Sequence, residues 1–207
     1  VGADLGVSCD GDFDRAAFID ERGEPVGSDL TTALIARELL SRERLAVLDA
    51  LALSSGDLDG RCPLLVCGSA STRLMVGVRG AEQLRQLKPD AARLTTLSAQ
   101  LGAAGYFVFT LAPQVPDVLT EARMFCPAIG IPEDPVSGNA YGMLGAYLAA
   151  RGLVERSGER AQFSGAQGHY LNRPGRVDVE LDYENGSVAS LRVVGDAVLV
   201  FETSLSL

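Results

Sequence analysis

Hydrophobic and polar residues alternate, or hydrophobic residues run together in short stretches, over much of the chain, and this pattern predicts many β-strands. The most strand-like stretch is 105–111, which is rich in aromatic and β-branched residues. From residue 161 onward the pattern is entirely β, and Asn185-Gly186 predicts a hairpin turn. The other predicted strands are residues 15–20, 64–67, 74–78, 176–181, 187–194 and 197–202.

Helical spacing of apolar residues appears in three shorter regions. One helix is predicted from a cap at Ser28 or Asp29 through Arg42. Two more are predicted at 81–87 and 90–101, separated by a proline that interrupts helical structure.

A further helix, 140–151, differs from these because it is apolar or small nearly all round. No charged residue occurs in it before Arg151, and Gly152 follows as a stop signal. A helix without a polar face is buried. The sequence therefore predicts an α+β fold in which a curved mixed or antiparallel sheet wraps around this central helix.

Composition excludes several classes of function. The 207 residues are 47% hydrophobic and carry a formal net charge of −9, dispersed along the chain. We expect no nucleic-acid partner, because phosphate contacts need clustered Lys and Arg. No apolar run is long enough to cross a membrane. The chain begins at Val1 without a signal-peptide pattern, so we expect a cytoplasmic protein from whose front a segment has been removed.

Cysteines and histidine give little support for a metal or disulfide site. The four cysteines are scattered, so we expect reduced, mostly structural thiols; they are Cys9, Cys62, Cys67 and Cys126. His169 is the only histidine, which leaves little to complete a zinc site. A lone histidine in a turn is more often structural or exposed than functional, and its role stays open.

One acidic segment imitates a calcium-binding loop. Asp10, Asp12, Asp14 and Glu21 occupy EF-hand ligand positions, but Arg15 stands where the loop needs glycine for its sharp turn. We therefore interpret the segment as an ordinary acidic turn and predict no metal.

The start of the central helix is the best candidate for chemistry. Ser137 is a natural helix cap, and the first backbone N–H groups of a helix have no partners within it. Those of Gly138, Asn139 and Ala140 could therefore hold a carboxylate or phosphate at the positive end of the helix dipole.

Two acidic residues precede this helix on a predicted strand end. Alternation sends one of Glu133 and Asp134 toward the helix start and the other away. An acid beside an anion pocket can move a proton on a carboxylate substrate. The local pattern fits equally a capped core helix preceded by an acidic turn.

A series of motifs resembles the phenazine-biosynthesis PhzF-like isomerases from about Phe13 to the C-terminus, most strongly over 121–175. The motifs occur in the family's order: residues 73–78, 84, 87 and 89–90, then 123–127, 130–140, 144 and 147–148, then 163–165, 167–168 and 173–175. Several motifs in order are more specific than any one of them.

The resemblance implies the diaminopimelate-epimerase-like fold, with two similar lobes and a site between them. It also implies proton transfer next to the carboxylate of a small molecule without a cofactor. By resemblance, Asp134 assists proton handling, while Gly138 and residue 139 bind the substrate carboxylate; Ser137 and Ala140 complete the predicted carboxylate-binding set. Ser137 stands where racemase relatives carry a catalytic cysteine, and a serine with no adjacent base is a poor proton shuttle. A two-thiol mechanism is therefore not expected.

Two departures from the family pattern shape the functional expectation. Asn139 stands where the pattern has serine, although its amide can still donate a hydrogen bond. The first lobe's glutamate, in a Ser-Glu-Thr-like motif, and its Gly-His-Pro-type motif do not appear. We therefore expect a first-lobe remnant at 1–12, the second lobe at 13–190, and terminal strands at 191–207.

Two functions follow from these expectations. The chain is the second lobe of an isomerase, which needs the first lobe or self-association to be complete, or it is a non-catalytic module that binds small carboxylates or serves assembly. An isolated lobe would expose its apolar cleft face, which favours pairing.

Overall fold

The computed structural model describes residues 44–68 and 71–195, together with the backbone of three short strands nearer the N-terminus. Those three strands are β1 (Leu5–Cys9), β2 (Ala16–Asp20) and β3 (Pro25–Val26). They form an antiparallel sheet of their own in the order β1-β2-β3.

The remaining strands form one sheet of nine. They are β4 (Leu65–Cys67), β5 (Arg73–Val78), β6 (Tyr106–Thr110), β7 (Thr120–Cys126), β8 (Ile131–Asp134), β9 (Arg156–Ser157), β10 (Arg160–Gln167), β11 (Gly175–Glu184) and β12 (Ser187–Val194). The order is β12-β11-β10-β7-β6-β5-β4, with β8 paired to β7 and β9 to β10. The β5–β6 and β7–β10 pairs are parallel and the others antiparallel, so the sheet is mixed.

Three α-helices accompany this sheet: α1 (Ala81–Gln86), α2 (Ala91–Leu101) and α3 (Gly138–Ala150). Residues 44–50 are also helical. Short 3₁₀ turns lie at Ser55–Asp57, Pro127–Ile129 and His169–Leu171. None of the helices in the described ranges is long and apolar enough to cross a membrane.

The sheet curls around α3. This helix contacts β11 and β12 at one end of the strand order and β4 and β5 at the other. Strands from both ends can reach one helix only if the sheet bends around it. The predicted α+β fold, a curved mixed sheet around a buried helix, is therefore confirmed. The helix begins two residues earlier than predicted, at Gly138, and Gly152 follows it with a φ of +64°.

Aromatic side chains fill the space between α3 and the sheet. Tyr141 packs edge-on against Phe107, with ring centroids 5.2 Å apart, and Tyr147 packs in the same way against Phe109 at 5.8 Å. Gly165 on β10 lies directly under Tyr141, where an added Cβ would come within 2.0 Å of the ring. The helix lies close to the sheet because that position carries no side chain.

The other face of the sheet is covered by α1 and α2. Asp90 caps α2 by accepting a hydrogen bond of 3.1 Å from the Arg93 N–H, and Leu94 faces the sheet, fully buried. The Tyr106 hydroxyl donates to the Leu94 carbonyl at 2.7 Å, which joins α2 to β6. The core thus has two layers, one on each side of the sheet.

Most predicted elements agree with the structure to within a few residues. The predicted hairpin is confirmed, because Asn185 and Gly186 have φ values of +51° and +85° and join β11 to β12. The predicted helix through Arg42 and the strand at 197–202 lie outside the described residues, as does the acidic turn around Asp12. The division at 1–12, 13–190 and 191–207 stays a prediction.

β7 was not predicted from the pattern. Its charged residues, Glu121 and Arg123, break the hydrophobic run that a central strand normally shows. The structure nevertheless buries most of the strand, because both charges have partners in neighbouring elements.

Candidate functional site

The site forms where two strands share one edge of β7. β10 runs parallel to the first half of β7, with Gln167 opposite Ala122, and β8 pairs with the second half, with Asp134 opposite Met124. The end of β10 therefore meets the end of β8 along one edge. The chain turns from β8 directly into α3, so the helix starts at this junction.

Hydrogen bonds join Asp134, Ser137 and Gln167 at the junction. The Ser137 hydroxyl donates to Asp134 Oδ2 at 2.6 Å. Gln167 Nε2 donates to the Asp134 carbonyl oxygen at 2.6 Å and to Ser137 Oγ at 3.2 Å, and its Oε1 accepts from the Ser137 N–H at 3.2 Å. Ser137 and Gln167 are buried, while Asp134 is half-buried.

Ser137 lies at the helix cap position, as predicted, but its hydroxyl does not cap the helix. It is turned toward Asp134 instead, so this serine has an adjacent carboxylate that the sequence did not reveal. The expectation of a serine without a nearby base was wrong on this point. The reason is the bend at Pro135 and Val136, which brings Asp134 back beside the residue three positions later.

The first turn of α3 presents free amides. The first helical hydrogen bond runs from the Tyr141 N–H to the Ser137 carbonyl at 3.1 Å. Within the described part of the chain, no acceptor is bound to the N–H groups of Gly138, Asn139 and Ala140. Asn139 is exposed, Gly138 is half-buried and Ala140 is buried. These amides can therefore receive an anion from the Asn139 side.

Glu133 points away from this junction, as alternation predicts. Its carboxylate forms a bidentate pair with Arg123 on β7, with Nε–Oε1 at 2.9 Å and an Nη–Oε2 contact of 2.8 Å. The two side chains are only 12% and 11% exposed, which makes this a largely buried ion pair. Arg123 also donates to the Leu84 carbonyl at 2.9 Å. Glu133 thus anchors β8, while Asp134 faces the helix start.

Tyr170 extends the anchoring network. The Arg123 guanidinium lies 4.9 Å from the centre of the Tyr170 ring, and the Tyr170 hydroxyl donates to Glu121 at 2.9 Å. Burial, and then the hydrogen bond and charge of Glu121, raise the pKa of Tyr170. The turn that follows Gln167 is therefore tied to β7.

The buried thiol of Cys126, at the end of β7, lies within the electrostatic influence of both Arg73 and Asp134. An added Cβ at Gly105 would lie 2.5 Å from Cys126 Sγ, so this glycine leaves room for the thiol. Burial raises the pKa of the Cys126 thiol, the Arg73 charge opposes this, and the Asp134 charge adds to it. Arg73 Nε is buried without a hydrogen-bond partner among the described residues.

His169 does not join the site. It is exposed at the start of its 3₁₀ turn, and its role stays open. Within residues 44–68 and 71–195, no group of three or more His, Cys, Asp or Glu side chains is arranged to hold a metal ion.

Comparison with known structures defines the class of fold. The chain superposes on the crystal structure of the Bacillus anthracis phenazine biosynthesis protein of the PhzF family with a TM-score of 0.61. The two are 20% identical, and the superposition covers 92% of this chain and 64% of that one. The fold is thus the PhzF, diaminopimelate-epimerase-like one.

Sequence comparison identifies the family to which the chain belongs. The profile of phenazine biosynthesis-like proteins (PhzC-PhzF) matches residues 27–203, so the chain belongs to this family. The uncharacterized isomerase YddE of Salmonella typhimurium is 36% identical over 163 residues, which is 79% of this chain and 54% of that protein. The chain therefore spans about half the length of such relatives.

A shorter match concerns a different kind of enzyme. Over 78 residues the chain is 38% identical to the phosphoglucosamine mutase of Anaeromyxobacter dehalogenans. The match covers 38% of this chain and 17% of that one, which is too little of either to assign a second family.

The sequence pattern assigned no role to Gln167, which contacts both Asp134 and Ser137 in the structure. Gln167 occurred in a family motif, but nothing local linked it to a residue 30 positions earlier. Only the register of the sheet shows this connection.

Proposed function

We propose that this chain is a lobe of a cofactor-independent isomerase or epimerase that transfers a proton on a small carboxylate substrate. The observation that carries the proposal is the position of Asp134, a half-buried carboxylate beside a helix start whose first amides have no protein acceptor among the described residues. The names of the relatives, isomerases and PhzF-family proteins, support the reaction class.

Binding of the substrate carboxylate is assigned to the first turn of α3. The backbone N–H groups of Gly138, Asn139 and Ala140 would donate to its oxygens, and the helix dipole favours a negative charge there. The exposed Asn139 side chain can add a further hydrogen bond. Ser137 contributes by shaping this turn, since its hydroxyl is engaged by Asp134.

Proton transfer is assigned in part to Asp134. One of its oxygens accepts the Ser137 hydrogen bond, and the other is available to a substrate carbon or oxygen held at the helix start. The main acid/base glutamate would come from a first lobe outside these 207 residues. The roughly twofold greater length of the relatives supports this division of labour.

Exchange of substrate protons with deuterated solvent tests the proposal. The longest natural form of the protein would be incubated in D₂O with a panel of unsaturated and α-amino acids, and deuterium uptake followed by NMR. We expect one class of substrate to exchange, and Asp134→Asn to slow exchange by about 100-fold. Asp49→Asn, at an exposed position, is the matched control and should leave the rate unchanged. Absence of exchange across the panel would contradict the proposal.

A second candidate function is a binding or assembly module that keeps the anion pocket without the main base. The observation that favours it is that the chain matches only about half of its relatives' length. Calorimetry with small carboxylates separates the two. Binding without exchange supports the binding module. Absence of binding would contradict the carboxylate site at the helix start in both candidate functions.

Association with a first lobe or a second copy fits the surface beside the helix start. Val136 and Val193 are 39% and 42% exposed. Val193 lies beside Gly138 at the helix start. Apolar side chains left open beside a polar site are typical of a surface that is covered in the complete protein.

A further inference from the structure

We propose that Gln167 is a positioning residue, which orients Asp134 through Ser137 so that one defined carboxylate oxygen faces the substrate. This inference rests on the function proposed above, because it assigns a role within the same site. It adds a residue from a different strand and identifies the oxygen of Asp134 that reacts.

Among the described residues, the side-chain hydrogen bonds of Gln167 all go to Asp134 and Ser137, where β8 leads into α3. Its side-chain amide accepts from the Ser137 N–H and donates both to the Asp134 carbonyl and to Ser137 Oγ. Gln167 is only 1% exposed, so water does not compete for these groups. Both ends of one side-chain amide are therefore committed to two residues of the site.

The direction of these hydrogen bonds fixes the Ser137 proton. Because Gln167 Nε2 donates to Ser137 Oγ, the single hydroxyl hydrogen of Ser137 points elsewhere. The acceptor is Asp134 Oδ2, at 2.6 Å. No donor among the described residues is bound to Oδ1. Oδ1 is therefore the oxygen that gives or takes the substrate proton.

The backbone around Gln167 is itself held rigidly. The Tyr141 hydroxyl donates to the Ala166 carbonyl at 2.9 Å, which ties β10 to α3. Gly168 follows with a φ of +85°, and an added Cβ would lie 2.7 Å from the Pro135 carbonyl oxygen. The strand end carrying Gln167 is thus packed against the loop that it orients.

Gln167→Glu tests this role with almost no change in volume. The substitution replaces both N–H donors by a second acceptor, which repels the Asp134 carbonyl and competes for the Ser137 proton. Gln162→Glu is the matched control, because Gln162 lies on the same strand with its side chain exposed. Both variants and the unsubstituted protein, each in its longest natural form, would be crystallised at pH 8 and assayed together.

The structural result is independent of turnover. We expect the Ser137 Oγ–Asp134 Oδ2 distance in Gln167→Glu to exceed about 3.5 Å, beyond hydrogen-bonding range, with α3 unmoved. Gln162→Glu should keep the original distance. Persistence of this hydrogen bond in Gln167→Glu would overturn the positioning role.

The kinetic result separates positioning from general stability. In the deuterium-exchange assay, Gln167→Glu should lower kcat by about 10- to 100-fold and leave KM within about twofold, because the binding amides remain. A rise in KM parallel to the fall in kcat would indicate a merely structural role and overturn the inference. Gln167→Glu can lose the Ser137–Asp134 hydrogen bond as expected while the unsubstituted protein exchanges no substrate proton. That combination supports the positioning role and contradicts the proposed function.

Discussion

Ser137 serves the site with its backbone and its side chain in different ways. Its carbonyl accepts the first hydrogen bond of α3, while its hydroxyl holds Asp134. Because the hydroxyl is used in this way, it does not compete for the amides of Asn139 and Ala140. A helix whose cap residue turns away leaves its first turn open to a ligand.

Substituting residues at the helix start should separate binding from chemistry. Asn139→Ala removes an exposed amide next to the proposed carboxylate position, so we expect affinity for a small carboxylate to fall by about 5- to 10-fold. Asp134→Asn should leave that affinity within about twofold, since it removes no proposed binding donor. Calorimetry with the carboxylate that exchanges best provides the measurement. Equal losses in both variants would contradict the assignment.

Burial of Cys62 links the stability of the chain to pH. Burial raises the pKa of the Cys62 thiol from its ordinary value of 9.0 to about 11. The folded state therefore favours the neutral thiol, and its contribution to stability is complete below pH 9 and is lost as the pH rises toward 11.

This linkage predicts a measurable loss of stability. Between pH 8 and pH 10, the free energy of unfolding should fall by about 1 kcal/mol through Cys62 alone. Urea denaturation under reducing conditions at both pH values gives the difference, and Cys62→Ala should show a smaller fall. A fall of the same size in Cys62→Ala would mean that other groups cause it.

At the scale of elements, α3 packs tightly against the sheet at Gly145 and more loosely at Gly142. An added Cβ at Gly145 would lie 2.8 Å from Val179 Cγ1 and 2.9 Å from Leu191 Cδ1. At Gly142 the nearest atoms would be 3.4 and 3.5 Å away, which is ordinary contact. The helix therefore tolerates a methyl group at one position and not at the other.

Alanine substitutions at these two glycines should change stability in opposite directions. Gly145→Ala should lower the free energy of unfolding by about 1–3 kcal/mol, because Val179 is stiff and buried. Gly142→Ala should raise it by about 0.5–1 kcal/mol, because alanine favours the helix. Thermal and urea unfolding of both variants provide the test. Similar effects in the two would show that the helix does not pack as described.

The attachment of β8 depends on the Arg123–Glu133 pair. Because both side chains are largely buried, removal of one leaves an unpaired charge. Arg123→Met should therefore destabilise the chain by about 2–4 kcal/mol. Arg93→Met, which breaks the exposed pair with Asp49, should cost less than about 1 kcal/mol. Equal costs in urea denaturation would indicate that the β8 pair is solvated in solution.

At the scale of the whole molecule, the proposed function requires a main acid/base glutamate from outside these 207 residues. The relatives are about twice as long as the matched segment, and the family profile covers residues 27–203. We predict that the natural protein has a longer form or a partner chain that carries the acid/base glutamate. Intact-mass spectrometry of natural material under denaturing conditions identifies either. A single species of 207 residues would favour the binding module.

Local periodicity made most of the fold predictable. The strands at 74–78, 105–111 and 187–194 and the buried helix at 140–151 follow from patterns that depend only on neighbouring residues. The helix start was also predictable, because proline, serine and glycine act on the backbone locally. β7 was not, because burial of Glu121 and Arg123 requires partners that are distant in sequence.

The sequence by itself therefore determined most of the elements, the helix start and the two candidate acids, because these depend on local spacing. The tertiary structure decided that Asp134 faces the helix while Glu133 anchors β8 to Arg123. It also decided that Gln167 completes the junction from another strand. The physical reason is that the register of β8 and β10 along β7 is fixed by non-local hydrogen bonds, and a one-residue shift would exchange the side chains that meet.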